Sequence, residues 1–151
     1  MISQTPRLPG IDGKNKMGKS LGNCIFLSDS SDDIKKKVFE AYTDPGHIKV
    51  EDIGKVEGNM VFVYLDAFAS DKKKVQELKE HYRCGGLGDV AVKNYLVEVL
   101  ENFLAPIRAK RKELEKDPAQ VMKILKQGTE RARAVASQTL KEAKEAMGII
   151  Y

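Results

Sequence analysis

The stretch VKNYLVEVLENFLAPI, residues 92–107, is the strongest indicator of the fold class of this chain. Its apolar side chains recur at spacings of three and four, which is typical of a helix with one buried face. The stripe consists of Val92, Leu96, Val99, Leu100, Phe103, Leu104 and Ile107. Because proline lacks an amide donor, we expect the helix to break or kink at Pro106.

A second helical stripe follows towards the C-terminus. Asp117 is a suitable N-cap and Pro118 a suitable first helical residue. The stripe contains Val121, Ile124, Leu125, Gly128, Ala132, Val135, Ala136, Thr139, Leu140, Ala143 and Met147. We expect this face to point inward, where its small residues permit close helix packing.

The N-terminal side of the chain contains further helix signals. Ser30 and Asp33 form a capping-box pattern, and another helix should start at Ser70 or Asp71 and end at Gly85–Gly86. The apolar segment 60–68 fits a helix or a strand, and its helical neighbours favour a helix. The predicted fold is mainly α: a bundle of about five helices in residues 31–151, preceded in residues 1–30 by an irregular loop and a short strand at residues 24–27.

The composition excludes several protein classes. The 151 residues have a net charge of +4 and contain no apolar run of the roughly 20 residues that cross a bilayer, so we expect no membrane segment. Cys24 and Cys84 do not fit a disulfide framework or a zinc site, which favours a reducing cytoplasm. His47 and His81 have no metal-ligand spacing, so we expect surface or capping roles for them and no metal site.

Positive charge concentrates in residues 105–151, which contain eleven basic and six acidic side chains. The cluster Arg108, Lys110, Arg111 and Lys112 is a candidate contact for a polyanion. The alternative is a solvated helix end that interacts with the helix dipole. Lys72, Lys73 and Lys74 are better explained as a solvated face.

The segment GKNKMGKS, residues 13–20, fits the P-loop pattern G-x-x-x-x-G-K-[ST]. The segment MVFVYLD, residues 60–66, resembles a strand that ends in a Mg²⁺-binding aspartate. A P-loop must follow a buried strand, however, and the preceding QTPRLPG, residues 4–10, contains two prolines and no apolar run. A small P-loop NTPase and a basic loop without a ligand are therefore alternatives to a third interpretation.

In that interpretation, KMGKS at residues 16–20 resembles the KMSKS loop of class I aminoacyl-tRNA synthetases. An ordered series of flanking segments resembles the tryptophanyl-tRNA synthetase family over nearly the whole chain. The series is RLPGIDG (7–13), LGN (21–23), YTDP (42–45), EGNMVF (57–62), GGLGD (85–89), FLAPIR (103–108) and the closing stretch 139–148.

The resemblance implies a ligase that activates tryptophan with ATP and Mg²⁺ and transfers it to tRNA. It implies that Lys16 and Lys19 are catalytic and that they bind ATP together with Met17, Gly18 and Ser20. Gly18 departs from the usual serine, which removes one hydroxyl group.

The resemblance also implies that residues 31–151 are a helical anticodon-binding domain in a cytoplasmic enzyme whose full-length relatives are homodimers. Candidate tRNA contacts are Arg83, Lys93, Arg108, Lys110, Arg111 and Lys112. The nucleotide-binding domain of the family is not in this sequence. We therefore expect the chain alone to be inactive and to bind no cofactor tightly, with tryptophan and ATP held through the missing half. A stand-alone helical RNA-binding module is the alternative.

Overall fold

Five α-helices make up most of the structure, a computed structural model that describes residues 7–14 and 16–149. They are α1 (Ser31–Phe39), α2 (Met60–Phe68), α3 (Lys72–Cys84), α4 (Asp89–Leu114) and α5 (Pro118–Ala146). The mainly α prediction is confirmed. The predicted strand at residues 24–27 is wrong: the segment enters a turn in which the Asp29 amide donates to the Phe26 carbonyl at 3.1 Å. The described residues form no strand pair beyond one isolated bridge.

Local capping signals explain where the helices start. Ser30 forms the predicted capping box for α1, and Asp71 caps α3. Asp117 caps α5, whose first residue is Pro118 as predicted. Asn59 caps α2 by accepting a hydrogen bond from the amide two residues on. Because each cap satisfies an amide that the helix leaves unpaired, these boundaries follow from nearby sequence alone.

Helices α1 to α4 contribute to the hydrophobic core. From α2 the buried residues are Met60, Val61, Phe62, Tyr64 and Leu65, and from α4 they are Val92, Leu96, Leu100 and Leu104. Pro106 does not end α4, which continues to Leu114. The proline is exposed, so water can reach the carbonyl that its missing amide leaves unpaired.

The chain divides into two compact units, Met1–Arg108 and Ala109–Tyr151, and the division falls within α4. In the second unit, α5 has no buried residue. The prediction that its apolar stripe points inward is therefore wrong; Ile124 is 54% exposed and Val135 70%. Periodicity identifies the apolar face of a helix but not what covers it. The division into residues 1–30 and 31–151 stays a prediction.

A partly buried polar network joins the loop after α1 to α3 and to the start of α4. The Asp89 carboxylate accepts hydrogen bonds from the Tyr82 and Thr43 hydroxyls, both at 2.6 Å. His47 Nδ1 lies 3.5 Å from the same carboxylate, and its ring packs 4.4 Å from that of Tyr82. His47 is thus buried, whereas a surface or capping role was predicted for it. Burial and the bond to Asp89 raise the pKa of Tyr82.

Candidate functional site

Residues 9–23, which contain the KMGKS motif, form a loop whose two ends lie side by side. The backbones of Pro9 and Lys16 pair in the isolated antiparallel bridge. The Ile11 amide donates to the Asn23 carbonyl at 3.0 Å. Within the motif, Lys19–Leu21 form a short 3-10 helix. The loop is therefore closed by hydrogen bonds of its own backbone.

The Asn23 side chain makes three hydrogen bonds within the motif loop. Its side-chain Oδ1 accepts from the Gly18 amide at 2.8 Å, while Nδ2 donates to Asp12 Oδ1 at 3.1 Å and to the Lys16 carbonyl at 3.3 Å. Asn23 is only 4% exposed. A Cβ atom at Gly10 would lie 2.1 Å from Nδ2, so glycine is required for this approach. Asn23 was not predicted as a site residue, because its three partners come close to it only in the folded chain.

The helical core also fixes the loop, through hydrogen bonds to Pro9 and Ile11. The Tyr64 hydroxyl on α2 donates to the Pro9 carbonyl at 2.7 Å, and the Tyr42 amide donates to the Ile11 carbonyl at 2.8 Å. Ile11 belongs to the core, and Met17 packs against it. Burial raises the pKa of Tyr64 and keeps its hydroxyl protonated as a donor. The position of the motif therefore depends on the packing of α2.

An open cavity of about 480 Å³ lies along the first part of the loop. It is lined by Arg7, Pro9, Gly13, Lys14 and Lys16. Its volume is within the range of about 300–1,000 Å³ that is common for small-molecule sites. The described lining has three basic side chains and no acidic one. Arg7 and Lys14 were not predicted as site residues; their only sequence signal is basic charge flanking the motif.

The five predicted motif residues have different environments. Lys16 is exposed and lines the cavity, whereas Lys19 and Ser20 are exposed and are not among its lining residues. Met17 and Gly18 are partly buried. The Gly18 backbone is extended, with φ −144°, a conformation that any residue adopts. The glycine is therefore not required by the backbone at this position.

The structure around the motif differs from a P-loop. No strand precedes it within the described residues, and α1 starts only at Ser31, ten residues after Leu21. The segment that resembled a metal-binding strand lies in helix α2. The strand–loop–helix geometry that a P-loop needs is absent from the described part of the chain.

Two candidate tRNA contacts of the first unit have partners within the protein. Arg83 forms an exposed ion pair with Glu57 at 2.6 Å, and its hydrogen bond lowers the pKa of that carboxyl. Lys93 Nζ donates to the Phe39 carbonyl at 2.8 Å. Burial lowers the pKa of Lys93. Of the two, Arg83 is the more accessible to a polyanion.

Arg108 also has structural partners. Its guanidinium is hydrogen-bonded to Glu101 through both terminal nitrogens and to the Asp29 carbonyl. The Arg108 side chain is 18% exposed. Its hydrogen bonds, with one from Ser31, lower the pKa of Glu101. Arg108 therefore connects α4 to the segment before α1.

The remaining candidates lie in the second unit and are exposed. Lys110 pairs with Glu113 at 2.9 Å and Arg111 with Glu115 at 2.7 Å, both one turn further along the chain. Lys112 has no ion-pair partner within the described chain. Exposed pairs of this kind contribute roughly 0–1 kcal/mol, so an RNA phosphate can replace the acidic partners at small cost.

The described residues contain no group of three His, Cys, Asp or Glu side chains that could hold a metal ion. Their helices also include none that is long and apolar enough to span a membrane.

Comparison with known families and sequences gives a consistent result. Residues 2–105 match the family model described as tRNA synthetases class I (W and Y). A tryptophan–tRNA ligase of Streptococcus pyogenes serotype M1 is 56% identical over 147 residues, covering 96% of this chain and 43% of that protein. A tryptophan–tRNA ligase of Clostridium longisporum is 58% identical over 145 residues, covering 96% of this chain and 42% of that protein. The chain thus spans less than half the length of these relatives.

Solved structures agree with the sequence relatives. The fold is similar to tryptophanyl-tRNA synthetase from Campylobacter jejuni complexed with ADP and tryptophan, with a TM-score of 0.76 and 30% identity. The match covers 94% of this chain and 43% of that one. A second structure of the Campylobacter jejuni enzyme matches with a TM-score of 0.74 and 31% identity, over 92% of this chain and 44% of that one.

Proposed function

Since the chain belongs to the class I tRNA synthetases of the W and Y type, we propose that it is the part of a tryptophan–tRNA ligase that supplies the phosphate loop and contacts tRNA. The observation that carries this proposal is the basic cavity beside a loop held by Asn23. By analogy with the family, the enzyme would act in the cytoplasm as a homodimer.

The proposed chemistry assigns a role to each motif residue. Tryptophan attacks the α-phosphate of ATP through a carboxylate oxygen, which forms tryptophanyl-adenylate and breaks the bond to pyrophosphate. Negative charge grows on the leaving pyrophosphate, and the ammonium groups of Lys16 and Lys19 stabilise it more in the transition state than before. Ser20 donates its hydroxyl to a phosphate, and Met17 and Gly18 keep the two lysines in place.

ATP would bring Mg²⁺ to this site. The described residues form no acidic cluster for it, so we assign its ligands to the ATP phosphates. The adenine and tryptophan pockets belong to the segments of the relatives that this chain does not match.

For the tRNA contact we favour Lys110, Arg111 and Lys112 over the other candidates. They are exposed, and their partners are weak surface pairs or absent within the described chain. Lys93 and Arg108 bind carbonyl oxygens within the first unit. Arg83 is a secondary candidate because its pair with Glu57 is exposed.

A chimera tests the catalytic part of the proposal. This chain replaces the matching 43% of the Streptococcus pyogenes relative, and tryptophan-dependent ATP–pyrophosphate exchange is measured. We expect activity, and a fall in kcat of about 10²–10³-fold for Lys16→Ala or Lys19→Ala. The exposed Lys35→Ala on α1 is the matched control. A folded chimera without exchange would favour a stand-alone RNA-binding module.

Binding of the 151-residue chain to tRNA tests the second part. We expect salt-dependent binding to a tryptophan tRNA transcript and weaker binding to a copy with a swapped anticodon. Changing Lys110, Arg111 and Lys112 together to Gln should lower the magnitude of the salt slope by about 2. The control changes Lys35, Lys36 and Lys73, which removes the same charge. An equal effect of both triple variants would contradict the assignment.

A further inference from the structure

We propose that Arg108 positions the KMGKS motif by fixing the segment that leaves the motif loop to helix α4. This exit segment, residues 24–29, leads from the motif loop towards α1. The inference rests on the proposed function and deepens it, because it makes Arg108 a positioning residue for the reaction and not the tRNA contact that its charge suggests.

The exit segment is a short, closed turn that starts directly after Asn23. The Asp29 amide donates to the Phe26 carbonyl at 3.1 Å, and the Asp29 carboxylate accepts from the Phe26 amide at 2.8 Å. Cys24 is 6% exposed, and Ile25 packs against the hydrophobic core. These contacts leave the segment little freedom, so a shift of Asp29 displaces Asn23 and the three hydrogen bonds that its side chain makes within the motif loop.

Arg108 attaches this turn to α4 across 79 positions of the sequence. Its Nη1 donates to the Asp29 carbonyl at 3.2 Å and to Glu101 Oε1 at 3.3 Å. Its Nη2 donates to Glu101 Oε2, which also accepts from the Ser31 hydroxyl at 3.0 Å. Glu101 and Arg108 both belong to α4, whose buried face lies in the core. The pair therefore fixes the end of the exit segment and the start of α1 to one helix.

A lysine on α1 attaches the same turn through its side chains. Lys37 pairs with the Asp29 carboxylate, and its Nζ lies 4.5 Å from the centroid of the Phe26 ring. The Asp29 side chain is only 10% exposed. The motif loop is thus held on two sides, at Pro9 by the Tyr64 hydroxyl and beyond Asn23 by the partners of Asp29.

The chemistry of the guanidinium group suits this attachment. Its five donors have a fixed arrangement, so it can bind both oxygens of one carboxylate and keep a further donor for a carbonyl. A lysine ammonium has the same charge but lies on a flexible chain without this fixed geometry. The Arg108 side chain is 18% exposed, so little water competes for its hydrogen bonds. Replacing Arg108 should therefore loosen the exit segment even when the positive charge is kept.

A looser exit segment should reduce the rate of the proposed reaction. Lys16 and Lys19 stabilise the transition state only when they lie at the correct distance from the phosphates. A misplacement of about 1 Å can lower a rate about 10²-fold, so a fraction of that displacement is measurable in kcat. The tryptophan pocket is assigned to segments that this chain does not match, so KM for tryptophan should not change.

Amide hydrogen exchange in the 151-residue chain tests the attachment itself. We expect Arg108→Gln and Arg108→Lys to accelerate exchange at the Gly18 and Asp29 amides about tenfold beyond any fall in global stability, which urea midpoints measure. The matched control is Lys79→Gln. The Lys79 side chain is 15% exposed and bonds to both Asp66 carboxylate oxygens, at 2.7 and 2.6 Å. Its loss should accelerate exchange at these two amides only as far as global stability falls, and an equal local effect of both substitutions would overturn the inference.

The chimera tests the consequence for the reaction. Its ATP–pyrophosphate exchange assay contains no tRNA, so a residue that only contacts tRNA has no effect in it. We expect Arg108→Gln and Arg108→Lys each to lower kcat about tenfold without a change in KM for tryptophan, and Lys79→Gln to leave kcat within about a factor of two.

Two kinetic outcomes in an active chimera would also overturn the inference. One is an unchanged kcat in both Arg108 variants. The other is full activity of Arg108→Lys beside a weak Arg108→Gln, which would show that charge alone is sufficient. An inactive chimera, together with accelerated exchange at Gly18 and Asp29 in the Arg108 variants of the chain, defeats only the proposed function.

Discussion

Replacing Asn23 with alanine should release the motif loop while leaving the helical core folded. The substitution removes the acceptor for the Gly18 amide and the donor to Asp12 and the Lys16 carbonyl. Each hydrogen bond contributes about 0.5–1.5 kcal/mol net, and the partners at the loop surface can recruit water. We therefore expect a loss of about 2 kcal/mol in the free energy of unfolding.

Two measurements report the expected loss in the free energy of unfolding of Asn23→Ala. The chain has no tryptophan, and four of its five tyrosines lie in the first unit, so tyrosine fluorescence in urea follows this unit. At a slope of about 2 kcal/mol per molar, the midpoint should fall by about 1 M. Amide hydrogen exchange at Gly18 should also accelerate by about tenfold or more, because its acceptor is gone.

Asn59→Ala is the matched control. Asn59 is 2% exposed, caps α2 through the Val61 amide at 3.0 Å and donates to the Tyr82 hydroxyl at 3.4 Å. Its loss should lower the urea midpoint by a similar amount, since a cap contributes about 1 kcal/mol and a buried partner adds to it. Exchange at Gly18 should rise only as far as global stability falls. Equal Gly18 exchange in both variants would refute the role given to Asn23.

Three further predictions concern single positions. Gly18→Ser should change the free energy of unfolding by less than about 0.5 kcal/mol in urea. The backbone is extended, and a Cβ atom would meet the flexible side chain of exposed Leu21, with Cδ1 at 3.2 Å and Cγ at 3.3 Å. The pKa values of Tyr64 and Tyr82 are raised in the folded chain, so above about pH 10 the unfolded chain binds fewer protons than the folded one. The free energy of unfolding should therefore fall as the pH rises above about 10. Changing each tyrosine to Phe should flatten this dependence, measured by urea titrations at alkaline pH. Gly85→Ala should destabilise the first unit by about 2 kcal/mol or more, because φ is +84° and a Cβ atom would lie 2.4 Å from the Glu51 backbone oxygen. The control is Gly128→Ala on α5, where a Cβ atom would meet nothing within 4 Å. This substitution should be neutral or stabilising.

The predictable part of the fold is the part encoded over short distances. Ser30, Asp71 and Asp117 lie next to the amides that they cap, so the helix starts could be identified without tertiary information. The α4 stripe was predictable in part: Val92, Leu96, Leu100 and Leu104 are buried, whereas Phe103 and Ile107 at its end are 46% and 37% exposed. Pro106 shows the limit: its effect depends on whether water reaches the unpaired carbonyl, which is a property of the folded surface.

The unpredicted part depends on contacts between distant segments. The predicted strand at residues 24–27 needed a pairing partner, and none forms within the described chain. The apolar stripe of α5 lacked any sequence signal for its cover. Arg7 and Lys14 line the same cavity as Lys16, beside the Pro9–Lys16 bridge, and no spacing in the sequence indicated that bridge. The motif was recognisable from its sequence, but the residues that fix its conformation, such as Asn23 and Tyr64, were not.

The motif loop is attached to the helical core by hydrogen bonds. Tyr64, on the most buried helix, holds the Pro9 carbonyl, and the Tyr42 backbone joins the Ile11 carbonyl to the Met60 amide at the start of the same helix. A displacement of α2 therefore moves residues 9–11, the segment that is bridged to Lys16. Because residues that pack in the core also fix the loop, a change in the packing of α2 reaches the backbone that carries Lys16.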